Sequence, residues 1–366
     1  MKYRETYAVI DLDCLSYNFN IIKKHSKKNV FCVCKADAYS HGDIAVANEL
    51  YNNGANYICV SSIDEAMSLR NQGYHGPLLI LGFVDTSCVE YVMHNNITLS
   101  VFSLEWLKEI DSSIDLSHLK VHLKIDTGMN RIGMKSLQEV KCVLEFLDER
   151  KVCIEGIYTH FHSVDQVSCD KQTRWFYAIV DACNYDFKWV HTSNSGGTLA
   201  YNDVRSNAVR VGIALYGIDV VDSQLGLKPV FSLFTKITFS KKIMEGETVS
   251  YDATYRAVKD MYIATLPIGY GDGFVRANTG RFVGIDGHAF EIVGAVCMDQ
   301  MMIRTDKLYP VGTEVELIGE HIPLLKMAKE LEMSPYEVLC LFNTRIMKRY
   351  KKKGIIIKDV HERLLK

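Results

Sequence analysis

The sequence predicts an α/β protein: a (β/α)8 barrel followed by a mainly antiparallel β domain. Three observations carry this. Eight short apolar runs recur before about residue 220, each followed by a turn and an amphipathic stretch. Beyond about residue 230 the runs alternate apolar and polar side chains and are punctuated by Gly and Asp. A length of 366 residues suits two domains at about 100–200 residues each. The boundary is drawn between residues 1–225 and residues 226–366.

The eight runs are 30–34, 57–61, 78–82, 98–102, 121–125, 153–158, 189–192 and 208–213. Near-continuous apolar strands separated by helices are the pattern of parallel strands buried on both faces. Eight such units close a barrel. Among the intervening helices, 62–71 carries Glu65, Met67, Leu69 and Arg70, with Gly73 as its C-terminal cap. Residues 136–151 place Val140, Val143, Leu144 and Leu147 on one stripe, and 171–184 form a third helix. In the second domain the strand-like runs are 232–240, 262–267, 282–285, 291–297 and 314–318. A helical excursion covers 324–342, where Ser334-Pro335-Tyr336-Glu337 has the form of a capping box with Pro at the first helical position. A last strand is expected over 354–360, and the cluster Lys348, Arg349, Lys351, Lys352, Lys353 reads as a solvated turn.

Composition bounds the function. Hydrophobic content of 48% supplies a real core, so wholesale disorder is excluded. A net charge of -2 gives no basic field, so no nucleic-acid partner is expected. No apolar run approaches the roughly 20 residues that span a bilayer. The start, Met1-Lys2-Tyr3-Arg4-Glu5, lacks the apolar stretch of a secretory signal. Eleven scattered cysteines without a CxxC read as buried free thiols of a reducing cytoplasm.

In such a barrel the chemistry sits at the carboxyl ends of the strands. The first run ends in Lys35-Ala36-Asp37-Ala38-Tyr39-Ser40-His41-Gly42, the fifth in Lys124-Ile125-Asp126-Thr127-Gly128-Met129-Asn130-Arg131, and the sixth in Thr159-His160-Phe161-His162-Ser163. The seventh ends in His191-Thr192-Ser193-Asn194-Ser195-Gly196-Gly197, and the eighth holds Arg210 and then Tyr216-Gly217. A lysine buried at a strand end has a lowered pKa and becomes an amine nucleophile, whereas one that snorkels out of the mouth does not; Lys35 alone fits either. Ser195 with two glycines offers backbone N–H groups to a phosphate, although a Gly-rich loop by itself is more often only a turn. Arg210 inside an apolar strand stays charged and needs a partner. His160 and His162, two apart, could both ligate zinc, but no further ligands show the spacing, and no metal is expected.

These segments resemble the alanine racemases, pyridoxal-phosphate (PLP) enzymes built from a (β/α)8 barrel plus a β domain. The likeness runs from Ala8-Val9-Ile10-Asp11-Leu12 to about Tyr350. Residues 35–42 resemble the cofactor-lysine signature, 124–131 the K-x-D-T-G-M-x-R motif, 191–197 the H-x-x-N-S segment and 209–217 the R-x-G-I-x-x-Y-G motif. Val249-Ser250-Tyr251, Ile268-Gly269-Tyr270-Gly271-Asp272-Gly273 and Val296-Cys297-Met298-Asp299-Gln300 extend it into the second domain. The resemblance implies a racemase that interconverts L- and D-alanine and/or L- and D-serine with two bases, supplying D-amino acids for cell-wall peptides. It implies that Lys35 holds the cofactor and serves one face of the substrate, and that Tyr251 serves the other. A free tyrosine titrates near 10, so such a base must be stabilised as phenolate. His160 would stand beside Tyr251 and link it to Arg210, which would meet the pyridine nitrogen. Tyr39 and Ser195, with backbone near Ile213, would hold the phosphate; Arg131 and the Met298 backbone would receive the substrate carboxylate. Lys124 matches a lysine carbamylated in several members. Family dimers place one subunit's second domain over the other's barrel mouth, so a homodimer with shared sites is implied.

Several positions depart from the family pattern. Asp37 and Ser40 replace the usual Asn and Gly, Asp252 follows Tyr251 where Gly is usual, and Ala295 stands where Arg is common. Where many members have a phosphate-contacting tyrosine, this chain has Asn343 or Thr344. A smaller polar residue there opens the pocket and can bond a hydroxyl, as in the cytoplasmic catalytic module of membrane-bound serine racemases of the vancomycin-resistance type. Asn343 is therefore the candidate substrate-binding residue that admits serine, the alternative being local drift with alanine retained, and a cytoplasmic location is expected, alone or as part of a longer membrane-bound racemase. Two other readings stay open: a PLP-dependent amino-acid decarboxylase of the same fold, and a non-catalytic PLP-binding protein, which would lack the second domain.

Overall fold

The computed structural model describes residues 4–364; Met1–Tyr3, part of the start read above for a secretory signal, lie outside them. The first strand is β1 (Tyr7–Asp11). Eight parallel strands then close a barrel: β2 (Asn29–Val33), β3 (Tyr57–Val60), β4 (Leu78–Ile80), β5 (Ile97–Val101), β6 (Lys120–Lys124), β7 (Cys153–Tyr158), β8 (Trp189–His191) and β9 (Ala208–Val211). Each coincides with one of the eight apolar runs. Closure is direct: Val30 of β2 pairs with Val209 of β9. The helices between them start where local chemistry says they should. Ser62 caps the helix Ile63–Asn71, and Ser136 with Glu139 forms a full capping box on Leu137–Glu149. The third expected helix is longer than its sequence stripe, Gln166–Cys183, because Asp165 caps it a turn earlier.

The barrel interior is aromatic rather than branched-aliphatic. Phe31 packs against Tyr57 and His191 with ring centroids 4.9 Å apart in both cases, and Trp189 meets Phe31 edge-on at 5.3 Å. Imidazoles therefore sit in the core, where an unpartnered polar atom is costly.

The remaining strands are β10 (Phe231–Lys236), β11 (Phe239–Ile243), β12 (Thr248–Val249), β13 (Tyr255–Arg256), β14 (Met261–Leu266), β15 (Phe282–Ile285), β16 (His288–Glu291), β17 (Met301–Thr305), β18 (Glu314–Ile318), β19 (Met347–Lys352) and β20 (Ile355–Val360). They form a seven-stranded sheet in the order β16-β15-β18-β10-β1-β19-β20, a three-stranded sheet β11-β14-β17 and a β12-β13 pair. All pairs are antiparallel except β1–β19. Grouped by contacts, the chain falls into two units: residues as far as Cys14, Tyr39–His41 and Pro229 onward form one, and Leu15–Ala38 with Gly42–Lys228 form the other. This differs from a cut at 225 because β1 pairs with β10 and β19 instead of entering the barrel.

Three local expectations change. Residues 291–297 form no strand of their own: Glu291 ends β16, Ile292 makes an isolated bridge, and Gly294 turns the chain at φ +70°. The run 232–240 is two strands broken at Ile237-Thr238, and the 324–342 excursion is two helices, Leu324–Glu330 and Pro335–Leu341. The basic cluster is a strand, not a solvated turn. Lys348 is buried against Glu362, Arg349 stacks 3.7 Å from the Tyr7 ring, Lys351 pairs with Asp11 at 3.0 Å, and the turn itself is Lys353-Gly354. Not all the cysteines are buried: Cys153 and Cys340 are exposed and several others half-buried. Among the described residues no helix is long and apolar enough to cross a membrane.

Candidate active site

Lys35 follows β2 directly and is exposed, so the buried-nucleophile reading is replaced by an amine presented at the barrel mouth. It opens a helical turn, Lys35–Ser40, of unusual hand: residues 36–40 have φ of 53°, 54°, 52°, 54° and 64°. A left-handed turn of L-residues costs about 1–2 kcal/mol per residue. It is held by Ala38 N–H to Cys34 O (3.0 Å), Ala36 N–H to Glu65 Oε1 (2.7 Å) and Asp43 N–H to Asp37 Oδ1 (2.9 Å). Asp37 and Ser40, two of the departures from the family pattern, sit at left-handed positions that Asn and Gly tolerate best.

Arg210 on β9 is buried, and its partners are not carboxylates. Its Nη1 donates to His191 Nδ1 (2.9 Å) and His191 O (3.2 Å); its Nη2 donates to Thr159 O (2.6 Å), His160 Nδ1 (3.2 Å) and Thr192 O (3.3 Å). The Tyr158 ring lies 4.7 Å from the guanidinium and stacks on His191. The four Nη protons are thus committed, and Nε–H is left without a partner among the described residues. Burial lowers the Arg210 pKa only to about 10, so it remains a cation at neutral pH.

The arginine dictates tautomers. Since it can only donate, His191 accepts on Nδ1 and carries its proton on Nε2, which bonds His122 Nδ1 at 2.9 Å. His122 Nε2 then has no partner among the described residues. Desolvation, then the Arg210 charge, keeps His191 and His122 neutral, the latter down at about 3. Half-buried His160 is pushed to about 2 by desolvation and by Arg210, Lys124, Arg131 and Lys35, so these four cations share its surroundings. Lys124 is buried at the end of β6 with its Nζ on Ile125 O (2.8 Å); burial, then Arg210, lowers its pKa from 10.5 to about 7. Arg131 is exposed on the loop that follows β6.

Ser195 begins the helix Ser195–Ala200, capped by Asn194, whose Oδ1 accepts Gly197 N–H at 2.9 Å. The Ser195 Oγ accepts Gly212 N–H (2.9 Å), which turns its own proton outward as a donor. The N–H groups of Gly196 and Ile213 have no partner among the described residues. A Cβ on Gly196 would stand 2.9 Å from Val164, so the close approach requires glycine.

In the other unit Tyr39 is buried edge-on to Tyr336, with ring centroids 6.0 Å apart. Tyr251 is 69% exposed and Met298 53% exposed. Both line one hollow of about 550 Å³ with Ser250, Cys297, Asp299 and Gln300. The loop carrying Tyr251 is strained, with φ of +69° at Ser250 and +57° at Asp252, which accounts for Gly being usual after the tyrosine. Asn343 is exposed, and its carboxamide is engaged at both ends, to Gly271 O (3.0 Å) and from Arg345 N–H (3.0 Å).

The profile of the alanine racemase N-terminal domain matches residues 10–220, and that of the alanine racemase C-terminal domain matches 230–350. The chain belongs to the alanine racemase family. Curated alanine racemases of Streptococcus suis (38% identity over 94% of this chain and 98% of theirs) and Bacillus subtilis (37%, over 97% and 95%) are similar to it along nearly their whole lengths. The crystal structure of alanine racemase from Bacillus anthracis with bound L-Ala-P superposes with a TM-score of 0.92 at 34% identity, covering 99% of this chain and 98% of that one. A histidine racemase from Leuconostoc mesenteroides superposes at 0.90 with 29% identity, covering 96% and 99%.

This member of the alanine racemase family is a PLP-dependent amino-acid racemase. The match over the second domain sets aside the binding-protein reading, which lacks one. The residues of its barrel fit the cofactor: an exposed amine, two unpartnered N–H groups together with the Ser195 hydroxyl, and a buried cation with one spare proton. Among the described residues no group of three or more His, Cys, Asp or Glu could hold a metal ion. Sequence reasoning missed His122, Tyr158 and Arg345. The first had a signal: His122 and Lys124 are two apart on one strand and face the same way.

Proposed function

We propose that this racemase interconverts the enantiomers of alanine, and accepts serine, in a cytoplasmic homodimer whose sites combine Lys35 of one copy with Tyr251 of the other, supplying D-amino acids for cell-wall synthesis. The observation that carries the reading is a division of labour. The barrel unit holds Lys35, Arg210, Ser195, His160 and Ile213, while Tyr251 and the Met298 amide project from the second unit, exposed in the single copy.

Bound PLP would supply an electron sink for charge at the α-carbon. Ser195 and the Gly196 and Ile213 amides would bind its phosphate, with Tyr39. Arg210, held by neutral acceptors on all four Nη protons, would direct its Nε–H at the ring nitrogen. Because a guanidinium does not readily release a proton, Arg210 would bond that nitrogen without protonating it, which would temper the sink. Arg131 and the Met298 N–H would orient the substrate carboxylate. The Tyr251 oxygen would take or return the α-proton on one face and Lys35 Nζ on the other, each within hydrogen-bond reach. His160, neutral and tied to Arg210, would support the phenolate. Neutral Lys124 amine would take up carbon dioxide to form a carbamate that orients Arg131.

Serine acceptance is supported by Asn343 and Thr344 in place of a tyrosine. An apolar pocket rejects an added hydroxyl only about 100-fold, and a polar one can favour it. Turnover of both amino acids in deuterium oxide tests the reading. Wild type should racemise both with α-deuterium incorporation, and Lys35→Ala should do neither. Asn343→Tyr should lower the serine-to-alanine ratio about 10-fold or more; an unchanged ratio would remove the pocket argument.

A further inference from the structure

Three loops of the second unit converge on the Met298 amide, and one arginine ties them. Tyr270 N–H donates to Cys297 O (3.1 Å), Gly271 N–H to Met298 O (2.8 Å), and Cys297 N–H to Gln300 O (2.9 Å). The Met298 N–H itself has no partner among the described residues, and the hollow beside it is the one that Tyr251 lines. The next residue is Asp299, whose side chain is 58% exposed. A carboxylate one residue from an amide that is to receive another carboxylate is a hazard. It can repel the incoming anion or fold back to take the amide for itself.

Arg345 removes that hazard. Its Nη2 holds Asp299 Oδ1 at 2.6 Å, and its Nε lies 3.2 Å from Asp272 Oδ1. Asp272 is fully buried and is itself gripped by Arg4 at 2.7 and 3.0 Å and by Gly269 N–H at 3.1 Å, so the arginine is anchored on a fixed point. Gly271 makes room for it: a Cβ there would stand 2.3 Å from Arg345 Nη1. Asn343 completes the clasp by bonding Arg345 N–H and Gly271 O. The Asp299 pair also pushes the Arg345 pKa up, so the cation persists at any working pH.

We infer that Arg345 is a positioning residue that draws the Asp299 carboxylate away from the Met298 amide and cancels its charge, leaving the substrate carboxylate as the anion this amide receives. The inference rests on the proposed role of Met298 and adds a requirement to it: the need for Arg345 exists only because Asp299 is there. Loss of the arginine should therefore be suppressed by loss of the aspartate.

The test is steady-state kinetics on the PLP-loaded enzyme with alanine, comparing wild type, Arg345→Gln, and Arg345→Gln with Asp299→Asn. Arg345→Gln should raise KM about 10-fold with kcat changed less than about 3-fold, and added salt should shrink the rise. The double variant should return KM to within about 3-fold of wild type. Asp272 keeps both Arg4 bonds in these variants; if they nevertheless fail to fold, Arg345→Lys with and without Asp299→Asn carries the same comparison with a smaller rise. A double variant whose KM stays as high as the single, or a single variant with unchanged KM, overturns the inference and leaves Arg345 a loop brace. A wild-type enzyme inert on alanine and serine instead sinks the proposed function on which the inference rests.

Discussion

At the scale of single residues, the barrel buries two basic groups, Arg210 and Lys124, whose hydrogen-bond partners are all neutral, although the Asp126 charge acts on Lys124. Arg210 stays protonated because five neutral acceptors surround its Nη groups. Lys124 has one carbonyl and an aromatic face 5.2 Å away, and burial brings its pKa to about 7. The consequence for stability has a definite sign. Below about pH 7 the lysine is protonated in both folded and unfolded chains, and the cost of burying its charge is felt in full. Between about pH 7 and 10 the unfolded chain binds a proton that the folded chain does not, so stability rises with pH. Lys124→Met should flatten that rise in denaturant titrations. A neutral amine also attacks carbon dioxide, losing a proton to give the carbamate. In 13C-bicarbonate at pH 8, wild type should show a carbamate carbon resonance that Lys124→Met lacks; the same resonance in both would place the adduct elsewhere.

At the scale of elements, the barrel strands were legible because buried parallel strands write themselves as uninterrupted apolar runs, and all eight occur where the runs stand. The basic strand Met347–Lys352 was not, because Lys348, Arg349 and Lys351 find their partners on other elements: Glu362, Asp359 with the face of Tyr7, and Asp11. Residues carried by motifs, such as Lys35, Ser195 and Arg210, could be singled out from the chain for the roles proposed above. Arg345 could not, since its role comes from loops that lie far apart in sequence. The left-handed turn after Lys35 was equally invisible, as Ala36 and Ala38 give no hint of positive φ. That turn makes its own prediction. Ala36 is exposed, so packing does not confuse the result: Ala36→Gly should stabilise the protein by about 1 kcal/mol and Ala36→Val should destabilise it by about 1–2 kcal/mol in denaturant unfolding. Equal effects would mean the turn is not left-handed in solution.

At the scale of the whole molecule, the chain divides its chemistry between two units. The one that closes into a barrel carries Lys35, Arg210 and Ser195, to which the proposal gives the cofactor amine, the ring contact and the phosphate. The other, which claims the N-terminal strand as well as the C-terminal chain, carries Tyr251 and the Met298 amide at its surface. A single copy therefore displays Tyr251, the proposed second base, to solvent. If sites are shared between copies, two variants that are each inactive must complement one another, because in a mixed dimer the copy with intact Lys35 receives the intact Tyr251 of its partner. Co-expression of Lys35→Ala with Tyr251→Phe, followed by measurement of racemisation in the purified mixture, tests this directly. Statistical pairing predicts recovery of about a quarter of the wild-type rate. Activity no greater than the sum of the two variants measured separately would contradict a site built from two copies.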